Sequence, residues 1–189
     1  MKLKIFTTRY KATFRGTMAR VTMALLLSGI ASISVSFAQT VATPPPTFPR
    51  MVGYHGILHP IVTLDKDHVE TNFSDYYVVG FPIGLNLWKT KQVGFSVEMV
   101  PVVRAQNGTS RVANVIFHPG VLVNLGHDFT FAGRIAFETS GRYGVTPVFN
   151  KIVKKGTTNS YFVAVPFPIR FGNDHPASIT AGLQFGIVF

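Results

Sequence analysis

The 189 residues are 47% hydrophobic but only 14% charged, well below the roughly 25% charged of ordinary globular domains, and the absence of cysteine excludes both a disulfide framework and a thiolate metal site. The formal charge is +10, yet six of the 18 basic residues lie within 1–38, so residues 39–189 carry 12 Lys and Arg against 8 Asp and Glu, a net of +4. With no basic stripe interleaved with aromatics either, no nucleic-acid partner is expected.

The chain opens with Lys2, Lys4, Arg9, Lys11, Arg15 and Arg20 and no acidic residue. An apolar run follows, VTMALLLSGIASISVSFA (21–38), ending Ser36-Phe37-Ala38, with small residues at both positions a signal peptidase inspects. That order predicts a secretory signal peptide over 1–38, cleaved before Gln39. Diluted by Ser, Thr and Gly, the run is too short to make a good permanent span. Met18 would open a signal of more ordinary length, so the start is Met1 or Met18. Residues 39–49, QTVATPPPTFP, contain three consecutive prolines, which predict an extended leader outside the core.

From Arg50 onward no window has the i, i+3, i+4, i+7 spacing of an amphipathic helix, and β-branched and aromatic residues alternate with turn signals. Eight strands are predicted, at 51–63, 75–88, 92–104, 112–124, 128–141, 143–153, 159–171 and 177–189. The connections are DKDHVETNFS (65–74), KTKQ (89–92), QNGTS (106–110), LGHD (125–128), a break near Arg142, KKGTTNS (154–160) and GNDHPAS (172–178). Apart from the sixth, each strand is about as long as a tilted strand that crosses a bilayer.

The facing pattern decides the kind of β protein. Val93, Phe95, Val97, Met99 and Val103 oppose Gly94, Ser96, Glu98 and Arg104; Phe129, Phe131, Ile135 and Phe137 oppose Thr130, Arg134, Glu138 and Ser140. The second and seventh strands repeat the pattern, with Tyr77 to Leu87 and Tyr161 to Phe171 supplying the apolar faces. A soluble barrel or sandwich buries its large apolar face and sets Lys and Glu outside. Here the second face holds Gly, Ala, Ser and Asn, with charges placed singly. The expected fold is therefore all-β: an eight-stranded antiparallel up-and-down transmembrane β-barrel over 50–189, apolar outside and small or polar inside, closed because an unpaired edge is costly in hydrocarbon. Against this stand Pro60, Pro82, Pro101, Pro119, Pro147, Pro166 and Pro168. Each lacks an N–H, and a closed sheet has no edge on which to hide that defect.

The expected interior polar set is His55, His59, Glu98, Arg104, Asn114, His118, Arg134, Glu138, Arg170 and Gln184. Eight strands enclose just enough room for their own side chains. The expectation is thus a lumen network in which Glu98 and Glu138 are neutralised by Arg134 and Arg170, not an open pore. His55 and His59 share a face but sit about 13 Å apart along a strand, too far to hold one metal; no metal or cofactor is expected. His118, in FHPG, has no serine or acid at a spacing that suggests a triad.

The stretch LQFGIVF (183–189) sets Leu183, Phe185, Ile187 and Phe189 on one face. Together with the export signal and the alternating strands, it resembles the small bacterial outer-membrane β-barrel proteins. YFVAVPFPIRFG (161–172) is similar to a proline-containing strand of outer-membrane barrels from Bacteroidetes-like bacteria. The resemblance implies that Leu183, Phe185, Ile187 and Phe189 form an assembly signal read by the barrel assembly machinery. It places the protein, as a monomer, in the outer membrane of a Gram-negative bacterium with outer-membrane lipid around it. KTKQ, LGHD and KKGTTNS become periplasmic turns, and Trp88, Tyr77, Tyr161 and Phe171 fall where aromatic girdles lie. Barrel enzymes of the lipid deacylase type carry a His-x-Ser pair, and no His here precedes a Ser at that spacing. The expected role is structural or surface-interacting, without catalysis. Two alternatives are a soluble periplasmic β-barrel binding a hydrophobic ligand and an outer-membrane lipid-modifying enzyme.

Overall fold

A computed structural model describes residues 47–66, 68–172 and 175–189. The expected signal peptide (1–38) and residues 39–46 of the leader lie outside the described residues. Eleven antiparallel strands form one sheet: β1 (Arg50–Asp65), β2 (Val69–Thr71), β3 (Tyr77–Gly80), β4 (Ile83–Trp88), β5 (Val93–Gln106), β6 (Thr109–Gly126), β7 (Phe129–Glu138), β8 (Tyr143–Lys155), β9 (Ser160–Pro166), β10 (Ile169–Phe171) and β11 (Ser178–Val188). β3 with β4, and β9 with β10, each fill one position, so the hydrogen bonding runs through eight positions. It closes where β11 pairs with β1, from Tyr54↔Val188 to Asp65↔Ser178. The eight predicted strands are these eight positions; β2, a short return strand on β1, has no counterpart among them.

Two tight turns have the backbone that a two-residue hairpin demands. Asn107 and Gly108 both have positive φ (51° and 74°), as do His127 and Asp128 (49° and 66°). Positive φ at both central residues gives a twist that matches the flanking strands, and Asn, Asp and Gly reach it most readily.

The prolines sit where their defect is shared. Pro82 lies in the gap between β3 and β4, and Pro168 in the gap between β9 and β10. The Pro101 carbonyl accepts from Phe81 N at 2.9 Å, and that of Pro147 from Phe167 N at 2.9 Å. In an antiparallel sheet a residue's N–H and C=O point toward the same neighbour. The missing donors of Pro101 and Pro147 therefore face these two gaps, so that two prolines share one interruption. The β6–β7 register likewise passes from Phe117↔Phe137 to Gly120↔Arg134 without a pair at Pro119, and the β1–β11 register shifts beside Pro60. The carbonyls of Pro82, Pro101, Pro147 and Pro168 each still accept a backbone bond, so the strands stay joined at these breaks.

Burial follows the period of two. On β5, Val93, Phe95, Val97 and Met99 are exposed, while Gly94, Ser96, Glu98 and Val100 are buried. Ile83, Leu85 and Leu87 on β4 and Ile135 and Phe137 on β7 are also exposed. Inside the ring, Tyr54, Leu122, Ala132, Val148, Phe162 and Ala164 pack in one cluster, and Val100, Ile116 and Ala136 in a second. Large apolar side chains thus line the outside, and the polar groups described next lie between the two inner clusters.

Candidate functional site

Six of the eight ring positions send a polar side chain to one level of the interior. Tyr54 comes from β1, Ser96 and Glu98 from β5, His118 from β6, Arg134 and Glu138 from β7, Thr146 from β8 and Arg170 from β10. Tyr54 reaches this level because its cross-strand partner is Gly84, where a Cβ would collide with the tyrosine ring. Phe162 meets that ring edge-on, with centroids 6.1 Å apart.

Glu98 is 3% exposed and Arg134 7%, so neither charge is hydrated. Glu98 Oε2 accepts from Tyr54 Oη at 2.8 Å, and Oε1 lies 3.0 Å from His118 Nδ1 and 3.5 Å from Arg134 Nη1. Arg134 Nη2 donates to Tyr54 Oη at 3.0 Å and to Ser96 Oγ at 3.3 Å. On the other side of His118, Nε2 lies 3.1 Å from Arg170 Nη2. A guanidinium has no acceptor, so Nε2 carries the lone pair, Nδ1–H donates to Glu98, and His118 is the neutral link. Arg170 Nη1 donates to Thr146 Oγ1 at 2.9 Å, and Arg170 Nε to Glu138 Oε1 at 2.6 Å. Glu138 Oε2 then accepts from Asn114 Nδ2 at 2.7 Å and Ser140 Oγ at 3.0 Å. The two carboxylates and two guanidiniums balance, and such a buried set is tolerable only because its oxygens are satisfied.

The layer divides the interior into two cavities. One, of about 380 Å³, lies toward the turns at 89–92, 127–128 and 156–159, with Tyr54 and Arg134 in its floor. The other, of about 290 Å³, lies toward the 66–76 and 139–142 connections, with Glu138 and Arg170 in its floor. Glu98 and His118 line neither, and stand between them.

Glu98, Arg134, Glu138 and Arg170, expected as a lumen network, therefore meet in two ion pairs joined through His118. Asn114 is part of the same chain of bonds. Arg104 lies farther out, stacked 3.8 Å above the Tyr76 ring. Tyr76 donates to Glu70 at 2.7 Å, and burial, with Glu70 second, pushes its phenol up to about 12.

His55 and His59 do not belong to the interior. His55 is exposed, on the outer face, with its ring 6.2 Å from that of Phe189. His59 is surrounded by Phe73, Tyr77 and Phe185, and its Nδ1 lies 3.2 Å from Tyr77 Oη. In β1 both alternating sets mix apolar and small residues, so polarity could not set the phase; the inward Tyr54 over Gly84 does. Trp88 is likewise not in an outer girdle but packs against the inner cluster. Tyr161 and Phe171 are exposed on the outer face.

Leu183, Phe185, Ile187 and Phe189 share the outward phase of β11 with Phe185 and Phe189 exposed, while Gly182 and Gln184 are buried. Phe189 also exchanges backbone bonds of 2.9 and 3.0 Å with Gly53 at the seam of the ring. Tyr54 and Thr146 escaped the sequence reading, and Ser96 was placed on the polar face of its strand but not in the interior polar set. Hydroxyls alternating with apolar residues are common in any strand; for Ser96 and Thr146 the signal available was only that each shares its strand's polar phase, and for Tyr54, in β1, there was none.

No family model matches the sequence, and no curated protein matches it. Among solved structures it is similar to the solution NMR structure of de novo designed TMB2.3. The identity is 10%, the match covers 74% of this chain and 92% of that chain, and the TM-score is 0.40.

Proposed function

We propose that the chain is a small outer-membrane β-barrel with a structural or surface-contact role and no catalytic chemistry, its apolar outer face against lipid and its lumen occluded. The observation that carries this reading is the inverted burial: exposed Phe, Ile, Leu, Val and Met outside, and buried Glu98, His118, Arg134 and Arg170 inside. Large contiguous apolar surface is uncommon on water-soluble monomers, whereas lipid requires it of a barrel wall. The dimensions agree. From Val93 to Val103 the outward face of β5 is apolar, ten steps of about 3.3 Å. At a tilt of about 40° this covers roughly 25 Å, the height of the hydrocarbon-facing band of such barrels.

Closure supports the same reading, since an open edge in hydrocarbon leaves backbone groups unpaired. A soluble barrel for a hydrophobic ligand would need the apolar face turned inward. The export signal and the resemblance of the β11 outer face to an assembly signal add the compartment and the assembly machinery as partner. Fractionation of cells producing the untagged protein is the test. Recovery with the outer membrane, with heat-modifiable migration on a detergent gel, is expected; recovery in the soluble periplasmic fraction would overturn the reading. Lipid A profiles are expected to be unchanged by overproduction, and an altered profile would make the protein an enzyme.

A further inference from the structure

Basic side chains are gathered at one end of the ring. Arg50, Lys89, Lys91, Lys151, Lys154 and Lys155 all stand by the turns at 89–92, 127–128 and 156–159. Among the described residues the one acidic side chain there is Asp128, which pairs with Lys155 at 2.6 Å. Of the other described carboxylates, Asp65, Glu70 and Asp75 lie at the opposite end, with Lys66, Arg104 and Arg111, and Glu98 and Glu138 lie in the interior layer.

The backbone of β8 decides where three of these lysines point. Its outward series, Tyr143, Val145, Pro147 and Phe149, is apolar and ends at Lys151, which pairs with Phe129 on one side and Val163 on the other. In a regular strand Lys154 would take the opposite face, because alternate residues share a side. A bulge intervenes: the register passes from Ile152↔Phe162 to Lys154↔Tyr161, with Val153 unpaired, and an extra residue of this kind re-aims the side chains around it. Phe162 is buried and Tyr161 exposed, so Ile152 faces in and Lys154 faces out, on the same wall as Lys151. Lys155, opposite Ser160, returns to the mouth of the lumen. Both outward lysines stand among exposed rings. Lys151 Nζ lies 4.3 Å from the centre of the Phe129 ring, Phe149 precedes it on the same face, and Lys154 is cross-strand from Tyr161. Neither lysine forms an ion pair among the described residues. A stem laid along an apolar wall with its ammonium at the end of that wall is how lysine reaches a membrane–water boundary, and exposed rings mark the same depth.

We propose that Lys151 and Lys154 bind the headgroup phosphate of an anionic phospholipid in the leaflet facing this end of the ring. The proposal rests on the lipid-facing reading of the outer wall and adds to it a lipid class and a place. Both ammonium groups donate to the phosphate oxygens as compact charges, and the acyl chains lie along Phe149 and Val165. Lys89 and Lys91 raise the concentration of anionic lipid around this end. The two lysines stand on the apolar wall, where a lipid's phosphate arrives with its chains already against the protein.

The full chain is refolded into phosphatidylcholine vesicles, and spin-labelled phosphatidylglycerol and phosphatidylcholine are compared by electron paramagnetic resonance, which resolves lipid immobilised on the protein. The anionic label should be favoured about threefold. Lys151→Gln with Lys154→Gln should abolish the preference, and Lys151→Arg with Lys154→Arg should keep it. Lys66→Gln with Arg111→Gln, the same change of charge at the opposite end, should leave it unchanged. Equal association of the two labels, or an equal loss from the opposite-end variant, would overturn the proposal while leaving a lipid-facing barrel. A preference erased by inorganic phosphate at constant ionic strength would assign the lysines to a soluble anion and overturn it too. Failure to insert, read as absence of the heat-modifiable band, would instead remove the lipid-facing reading itself and the proposal with it.

Discussion

Glu98 takes hydrogen bonds from Tyr54 and His118 and lies beside Arg134, all within the ring. Replacing it with alanine leaves the Arg134 guanidinium uncompensated where water does not reach. Removing one partner of a buried pair costs about 3–5 kcal/mol, and Glu98→Ala should lose stability of that order in urea unfolding of micelle-bound protein. Glycines offer a contrast at the same scale. A Cβ on Gly144 would run into the Ile169 carbonyl oxygen, which belongs to the backbone of the neighbouring strand, whereas the nearest atom to one on Gly133 is 3.5 Å away. Gly144→Ala should therefore sharply lower the refolded yield and Gly133→Ala should not, as read by the heat-modifiable band. The sequence marked Glu98, Arg134, Glu138 and Arg170 because isolated charges stood in the polar phase of apolar strands. Of their connectors it marked His118 and Asn114 but not Tyr54, since Tyr54 and Arg134 are 80 residues apart and meet only across the lumen.

For whole elements, periodicity carried most of the information. The β3–β4, β5, β7, β9–β10 and β11 positions were legible because their two alternating sets differ strongly in size and polarity. β1 was not, and its phase was misread at His55 and His59. The breaks at Pro82 and Pro168 were also hidden, since proline marks a defect without saying which neighbour absorbs it. Val97 lies on the outward face of β5, between Leu85 and Pro119 on the adjacent strands. If that face meets hydrocarbon, Val97→Arg costs about 2–4 kcal/mol near the midplane and lowers insertion into liposomes; on a water-facing sheet the same change would be harmless. If the β11 face is an assembly signal, it bears on assembly in cells. Deleting Phe189 removes both its ring and two backbone bonds to Gly53, and a fall in outer-membrane recovery is expected. Normal recovery would remove the assembly-signal reading while leaving the fold untouched.

At the scale of the molecule, the polar layer leaves two blind cavities in place of a channel. Refolded protein in a planar bilayer is accordingly expected to show no steady conductance, and a stable open level would contradict the occluded lumen. The neutral sum of the layer also explains how charges persist in so narrow an interior: each is held by a partner of opposite sign and by hydroxyl or amide bonds. The order of elements, the two-residue repeat and the inverted polarity are all local properties, written in neighbouring residues and therefore readable along the chain. Which side of β1 faces in, which acid meets which base, and where two cavities are left between them depend on strands far apart in sequence arriving at one height. Ring closure between β1 and β11 sets that height, because a shift of one residue in register turns every side chain to the opposite face.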